Sequence, residues 1–282
     1  MKKSSIICRL AMVSLYAFLF IYACGGSGDG SAAGIGSGDN PSSGGDSGDG
    51  LSSNSGTSEF ATDTGAKLLI EHNATDEYTG FQGFTGGDQI WYELTISDPQ
   101  GQRVMTVRPE SGLVELGLTE LFFKTWEPLN DEVPLFDVLT RLPEGDYAFV
   151  FNWEFWDYWG YSDDYSAKLT HTIPADPVLI TPADDSTVDP DNLIVSWESV
   201  NEDINGVAVN LVGYQVNVEK DEEPQFPQGF SRSLFSVHVP AMVTSVTVPR
   251  EFVENNACYK YNVLAIEESG NQTISSAMFG TQ

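Results

Sequence analysis

Tyr259-Lys260-Tyr261-Asn262-Val263-Leu264-Ala265 is the stretch from which the fold of this chain can be read. Tyr259, Tyr261, Val263 and Ala265 alternate with Lys260, Asn262 and Leu264, the period of two expected of a strand with one face on a core. Glu267-Glu268-Ser269-Gly270-Asn271 then reads as a turn. The alternation recurs upstream. Leu193, Val195 and Trp197 share one face of a strand, Tyr214, Val216 and Val218 share one face of another, and Val246 and Val248 mark a third. About seven short strands in roughly a hundred residues predict an antiparallel sandwich.

Working toward the amino terminus, Ile173-Pro174-Ala175-Asp176-Pro177 and Ile180-Thr181-Pro182 interrupt any ladder, because proline has no N–H to donate. They place a domain boundary near 174/175. Beyond it, residues 177–282 resemble a fibronectin type III domain. That family has a tryptophan in its second strand and an aromatic residue in its third, and Trp197 and Tyr214 fit these places. Its sixth strand reads Tyr-x-Val-x-Val-x-Ala before a glycine-containing turn. Tyr259 to Ala265 and Gly270 match, with Tyr261 in place of one valine. The resemblance implies that Trp197, Tyr214 and Tyr259 are core residues, with a tyrosine corner hydrogen bond, and not catalytic ones. No Arg-Gly-Asp adhesion triplet occurs in the chain.

Residues 59–174 predict a second β-sandwich with a short helical insertion. Lys67–Glu71 reads as a strand. Gln89–Ser97 alternates, with Ile90, Tyr92, Leu94 and Ile96 expected on one side. Asp98-Pro99-Gln100-Gly101 is a turn into a returning strand, Gln102–Arg108, and Leu118–Trp126 suggests another strand. Leu135, Val138, Leu139 and Leu142 fall at helical spacing, ended by Pro143-Glu144-Gly145. Tyr147, Phe149, Phe151 and Trp153 alternate in a buried strand. The segments Ile70–Asp76, Phe122-Phe123, Pro143-Glu144-Gly145 and His171-Thr172-Ile173-Pro174 resemble a family of uncharacterised secreted bacterial proteins, a likeness that implies no mechanism.

The amino terminus supplies an address. Lys2, Lys3 and Arg9 precede an apolar run, Leu10 to Tyr22, that is short for a bilayer span. Ile21-Tyr22-Ala23-Cys24 resembles a bacterial lipoprotein signal, which implies cleavage after Ala23 and diacylglycerol on the Cys24 sulfur. An ordinary secretory signal cut near Ala23 is the alternative. From Gly25 to Ser58 the chain is Gly, Ser, Asp, Asn, Ala and Thr almost throughout, with no aromatic residue. It cannot bury enough apolar surface to offset its ordering entropy, so a disordered spacer is expected over 24–58. As a flexible coil it would span roughly 30–35 Å. Cys8 falls in the signal and Cys24 at the lipid site, so Cys258 is left alone and the mature chain is expected to lack an intrachain disulfide.

Charge narrows the partners. The chain has 13 Lys and Arg against 41 Asp and Glu, a formal net charge of −28. Residues 1–23 remove three basic and no acidic side chains, leaving 10 − 41 = −31. With no basic patch to meet phosphates, nucleic acid is not an expected partner. No nucleophile elbow, P-loop, zinc motif or dinucleotide fingerprint is present. His72, His171 and His238 are far apart in sequence and lack ligand spacing. Asp63, Glu71, Asp76 and Glu77, and separately Asp184, Asp185, Asp189 and Asp191, are oxygen donors of the type calcium takes, yet both sets read more simply as solvated acidic turns. No metal or cofactor is therefore expected. One local density stands out: Trp156, Tyr158, Trp159 and Tyr161 crowd a hairpin turn beside Asp157 and Asp163. Exposed aromatics flanked by carboxylates suit a protein hot spot or stacking on sugar rings, whereas a hairpin packed on its own sandwich would use them structurally.

Together these readings give an all-β chain. A signal peptide (1–23) and a linker (24–58) precede two tandem immunoglobulin/fibronectin-like β-sandwiches, 59–174 and 175–282. The expected role is a non-enzymatic binding or adhesion module at the bacterial cell envelope. It would be membrane-anchored through Cys24, at the outer membrane or cell surface sooner than the inner membrane, with a protein or carbohydrate ligand. The alternatives are a hydrolase or accessory protein acting on cell-surface polysaccharide, and a spacer without a ligand.

Overall fold

The computed structural model describes residues 65–155, 158–221 and 234–282, with backbone alone for 87–89, 153–155 and 158–163. The signal and linker readings thus lie outside the described residues. Within them the regular structure is mostly strand, arranged in sandwich-like sheets with little helix.

In the amino-terminal half, β1 (Gly65–Asn73) pairs antiparallel with β2 (Tyr78–Trp91), and β2 with β5 (Leu118–Lys124). Facing them is a sheet of β3 (Glu93–Ser97), β4 (Arg103–Val107), β6 (Gly145–Phe155) and β7 (Tyr158–Leu169), in the order β4-β3-β6-β7. The Asp98 carboxylate accepts from the N–H groups of Gln100 and Gln102 and closes the β3–β4 turn. Leu68, Ile70, Phe81, Trp91, Leu94, Ile96, Tyr147, Phe149 and Phe151 fill the core between the layers. The alternation expected over 89–97 is corrected at its start. The β2–β5 register shifts between Gly86 and Trp91, the chain changes sheets at Tyr92, and Trp91 is buried while Ile90 is 42% exposed. Two short helices interrupt the sheets. Helix α2 (Leu135–Leu139) buries Val138, as its spacing suggested; α1 (Gly112–Leu116) buries no residue.

In the carboxy-terminal half, β8 (Leu179–Thr181), β10 (Ile194–Trp197) and β13 (Ser245–Thr247) form one sheet, in the order β13-β10-β8. Opposite run β11 (Leu211–Lys220), β12 (Leu234–Pro240), β14 (Cys258–Glu267) and β15 (Gln272–Thr281), ordered β12-β11-β14-β15. The short β9 (Ser186–Val188) lies parallel to β15. The core between these sheets holds Leu193, Val195, Trp197, Tyr214, Val216, Val218, Tyr259, Tyr261, Val263 and Phe279.

The two halves share a sheet. β1 lies parallel to β15, with Glu71 opposite Gln272, His72 opposite Thr273 and Asn73 opposite Ile274. One eight-stranded sheet therefore runs β12-β11-β14-β15-β1-β2-β5, with β9 beside β15. Each half keeps its own core, and residues of both cores project from the same side of that sheet.

Cys258, at the start of β14, is disulfide-bonded in the full-length chain, whereas the expectation of no intrachain disulfide concerned the mature chain. Its partner lies outside the described residues.

Candidate functional site

The most unusual chemistry among the described residues lies where β5, β2, β1 and β15 run side by side. Period-two patterning puts Glu71 of β1 on the face away from Leu68 and Ile70, and Gln272 of β15 stands opposite it. A carboxylate there is costly to bury unless it is paired. Glu71 is fully buried, and its Oε1 lies 2.8 Å from Lys124 Nζ. Gln272 Nε2 donates to Glu71 Oε2 at 2.5 Å. Lys124 Nζ also lies 2.8 Å from Glu127 Oε1. Glycine at 80 makes room for this arrangement, since a Cβ there would sit 2.5 Å from Glu127 Cγ.

The electrostatics follow from the crowding. Burial, opposed only in part by Lys124, pushes the Glu127 carboxyl up to about 7. Burial pulls on Lys124 in the opposite sense, but Glu71 and Glu127 outweigh it and hold the ammonium above its usual value. The Tyr78 phenol is pushed up to about 12 by burial. The cluster binds strands to one another. Ile70 N–H donates to Asn271 Oδ1, whose amide nitrogen donates to the carbonyls of Thr170 and Thr172. Thr273 Oγ1 donates to Pro174 O, and Ser276 N–H to Thr75 Oγ1. Pro174, one of the prolines that mark the expected boundary, thus lies in a hydrogen-bonded seam.

The acids proposed for calcium do not gather. Glu71 belongs to the ion-pair cluster, and Asp76 Oδ2 accepts from Asn73 Nδ2, so the reading of Glu71 as part of a solvated edge is corrected. Asp63 lies outside the described residues. Asp184 Oδ1 accepts from Met278 N–H, Asp189 from Asp191 N–H, and Asp191 pairs with Arg250 at 2.5 Å. Among the described residues no group of three or more His, Cys, Asp or Glu side chains is placed to hold a metal ion. The histidines stay apart. His72 Nδ1 meets Thr79 Oγ1 and His171 Nε2 meets Leu142 O, both at 2.9 Å, while His238 lies in the Gln215 pair of β11–β12.

Of the residues singled out by sequence, Cys24 and Trp156 lie outside the described residues. Tyr158, Trp159 and Tyr161 fall in β7, where only backbone is described; Phe155 pairs with Tyr158 and Trp153 with Tyr161. Trp197, Tyr214 and Tyr259 are fully described. Trp197 packs edge-on to Tyr214, ring centroids 5.2 Å apart, and Tyr214 Oη accepts from Val200 N–H at 2.8 Å. Tyr259 stacks on Phe279 at 5.4 Å, and its Oη accepts from Glu254 N–H at 2.7 Å, which makes the tyrosine corner. Leaving β9 aside, Trp197 ends the second strand of this half, Tyr214 lies in the third and Tyr259 in the sixth, in sheets of three and four strands.

The carboxy-terminal half is a fibronectin type III-like sandwich. Similar solved structures include a two-domain fibronectin type III segment of chicken tenascin. That match has 12% identity and a TM-score of 0.27, and it covers 77% of this chain and 99% of that one. The first three fibronectin type III domains of chicken CNTN1 match at 11% identity and a TM-score of 0.31, over 77% of this chain and 64% of that one. The third fibronectin III domain of human KIAA0343 protein matches at 16% identity and a TM-score of 0.28, over 39% of this chain and 82% of that one. The strand order, and not these scores, carries the fibronectin type III-like reading. No protein-family model matches the chain, and no curated protein matches it. In the fibronectin type III-like half, Tyr261 replaces the family's valine and donates from its Oη to Pro182 O at 2.5 Å. This bond is a consequence of the substitution that alternation alone does not reveal.

Proposed function

We propose that this protein is a non-enzymatic binding or adhesion module of the bacterial cell envelope, anchored by lipid on Cys24 and held off the membrane by the 24–58 spacer. The observation that carries the reading is the order of its parts. A charged and apolar leader ends in Ile21-Tyr22-Ala23-Cys24, a spacer without aromatic residues follows, and the chain then enters a β-body at Gly65. A non-enzymatic role is supported by the use each titratable cluster makes of its side chains. Lys124 pairs with both Glu71 and Glu127, His72 and His171 are engaged by Thr79 and Leu142, Asp189 closes a turn, Asp184 accepts from Met278 N–H and Asp191 pairs with Arg250. The hydrolase alternative needs two carboxylates poised about a substrate bond. Glu71 and Glu127, which share a partly or fully buried site, share it with Lys124.

Recognition is assigned to Trp156, Tyr158, Trp159 and Tyr161, because rigid aromatic area at a turn either packs or binds. The double change Trp156→Ala with Trp159→Ala tests this. Each exposed stacking ring is worth about 1–3 kcal/mol, so the variant is expected to keep its melting temperature and lose binding to whole cells or polysaccharide arrays at least tenfold. A melting temperature lowered by several degrees, with no wild-type binding on either format, would return the aromatics to a structural role.

A further inference from the structure

Helix α1 has an unusual composition for its surroundings. Leu113, Val114 and Leu116 are 50%, 46% and 74% exposed, and none of its five residues is buried. Ile90, 42% exposed, joins them: Gly117 has φ +72°, and a Cβ there would sit 1.9 Å from Ile90 Cγ2, so the isoleucine lies directly on the glycine that ends the helix. Four large aliphatic side chains thus meet at one tip. Single exposed aliphatics are ordinary; a contiguous group of them marks an interaction site.

The strand register places this tip. Gly65, where the chain enters β1, pairs with Gly86, and Gly86 pairs with Glu120, four residues beyond Leu116. The tip therefore lies at the end of the amino-terminal sandwich where the spacer arrives. The fibronectin type III-like half joins at the other end of β1, at Glu71–Asn73. The β6–β7 hairpin also reverses at the tip end, because Asn152 of β6 pairs with Glu93 just past Trp91. The charge nearby is acidic, Glu110 and Glu115, and Arg108 is paired with Glu93.

We propose that this end of the amino-terminal sandwich docks on the surface of a zwitterionic phospholipid bilayer through Ile90, Leu113, Val114 and Leu116. The proposal rests on the anchored reading above. A spacer attached beside the tip brings it to the membrane first, within the roughly 30–35 Å span of a coil of that length. Partial burial of four aliphatic side chains in the interfacial region is favourable, and the acidic neighbours and the net charge of 10 − 41 = −31 from Cys24 onward select against an anionic surface.

The test is photocrosslinking of the full lipidated chain in phosphatidylcholine vesicles doped with a lipid that carries a diazirine in its acyl chain. Tryptic peptides are mapped by mass spectrometry. Crosslinks are expected to concentrate in the tryptic peptide 104–124, because Pro109 blocks cleavage after Arg108, ahead of the segments holding the exposed Val178 and Val207 of the other half. Leu113→Ser with Leu116→Ser is expected to lower the yield in that peptide at least about fivefold, because both replacements remove apolar area from the contact. Because α1 buries nothing, this variant is expected to fold. A yield in 104–124 no higher than in the other half, or one unchanged in the variant, overturns the docking. So does a wild type whose tip peptide is silent toward lipid and which differs from the variant only in binding a protein. The Cys24 peptide in the same digest reports the anchor separately. A lipidated Cys24 with a silent tip overturns docking alone, whereas a Cys24 without lipid overturns the anchored reading and the docking with it.

Discussion

Lys124→Met is expected to destabilise the protein by about 3–5 kcal/mol, because it leaves Glu71 as a buried carboxylate without its counter-ion. Glu71 is fully buried, and Lys124 is the cation that reaches it, 2.8 Å away. After the change Gln272 Nε2 still donates to Glu71 Oε2, but one neutral hydrogen bond does not replace an ion pair in this setting. Adding Glu71→Gln removes the orphaned charge, so the double variant is expected to recover more than half of the loss. Urea unfolding of the three proteins at neutral pH measures this. A single-variant loss below about 1 kcal/mol, the range of an exposed ion pair, would mean that the cluster is solvated and does not hold β5, β2, β1 and β15 together.

Trp197→Ala should cost a similar amount by a different mechanism. The indole is 1% exposed and packs edge-on against Tyr214 between the two sheets of the fibronectin type III-like half. Its removal leaves a cavity between layers that cannot close, and large-to-small changes of this kind cost about 3–5 kcal/mol. Val200 N–H depends on Tyr214 Oη, so movement of Tyr214 into the space would sacrifice that bond as well. Denaturant unfolding should show the loss as a lowered midpoint. A change within about 0.5 kcal/mol, typical of surface substitutions, would place Trp197 outside the core and undo the strand assignment built on it.

The carboxy-terminal strands were legible because each carries its apolar residues at a period of two, and because Trp197, Tyr214 and Tyr259 mark the strands they occupy. Helix α2 was legible for the same reason at a different period: Leu135, Val138 and Leu139 face one core. Helix α1 gave no such signal, since Leu113, Val114 and Leu116 face solvent and helical periodicity reports only on faces that pack. Ile90 departs from the face expected for it because a register shift between Gly86 and Trp91 offsets the alternation. Sequence periodicity does not reveal such a shift. The parallel pairing of β1 with β15 was illegible as well. It joins residues 201 positions apart, and a strand's own pattern does not name its neighbour. Glu71 was read as a solvated acid because its counter-ion, Lys124, is brought alongside only by that sheet. The aromatics from Trp156 to Tyr161 remain a reading of sequence alone.

The most direct test of the central claim, a lipid-anchored module, is the mass of the amino-terminal peptide of the protein recovered from cell envelopes. The account predicts a peptide that begins at Cys24 and carries diacylglycerol on its sulfur, and it predicts that Cys24→Ala yields no lipid-bearing form. A peptide that begins elsewhere, or a Cys24 linked to Cys258 and bearing no lipid, would contradict it.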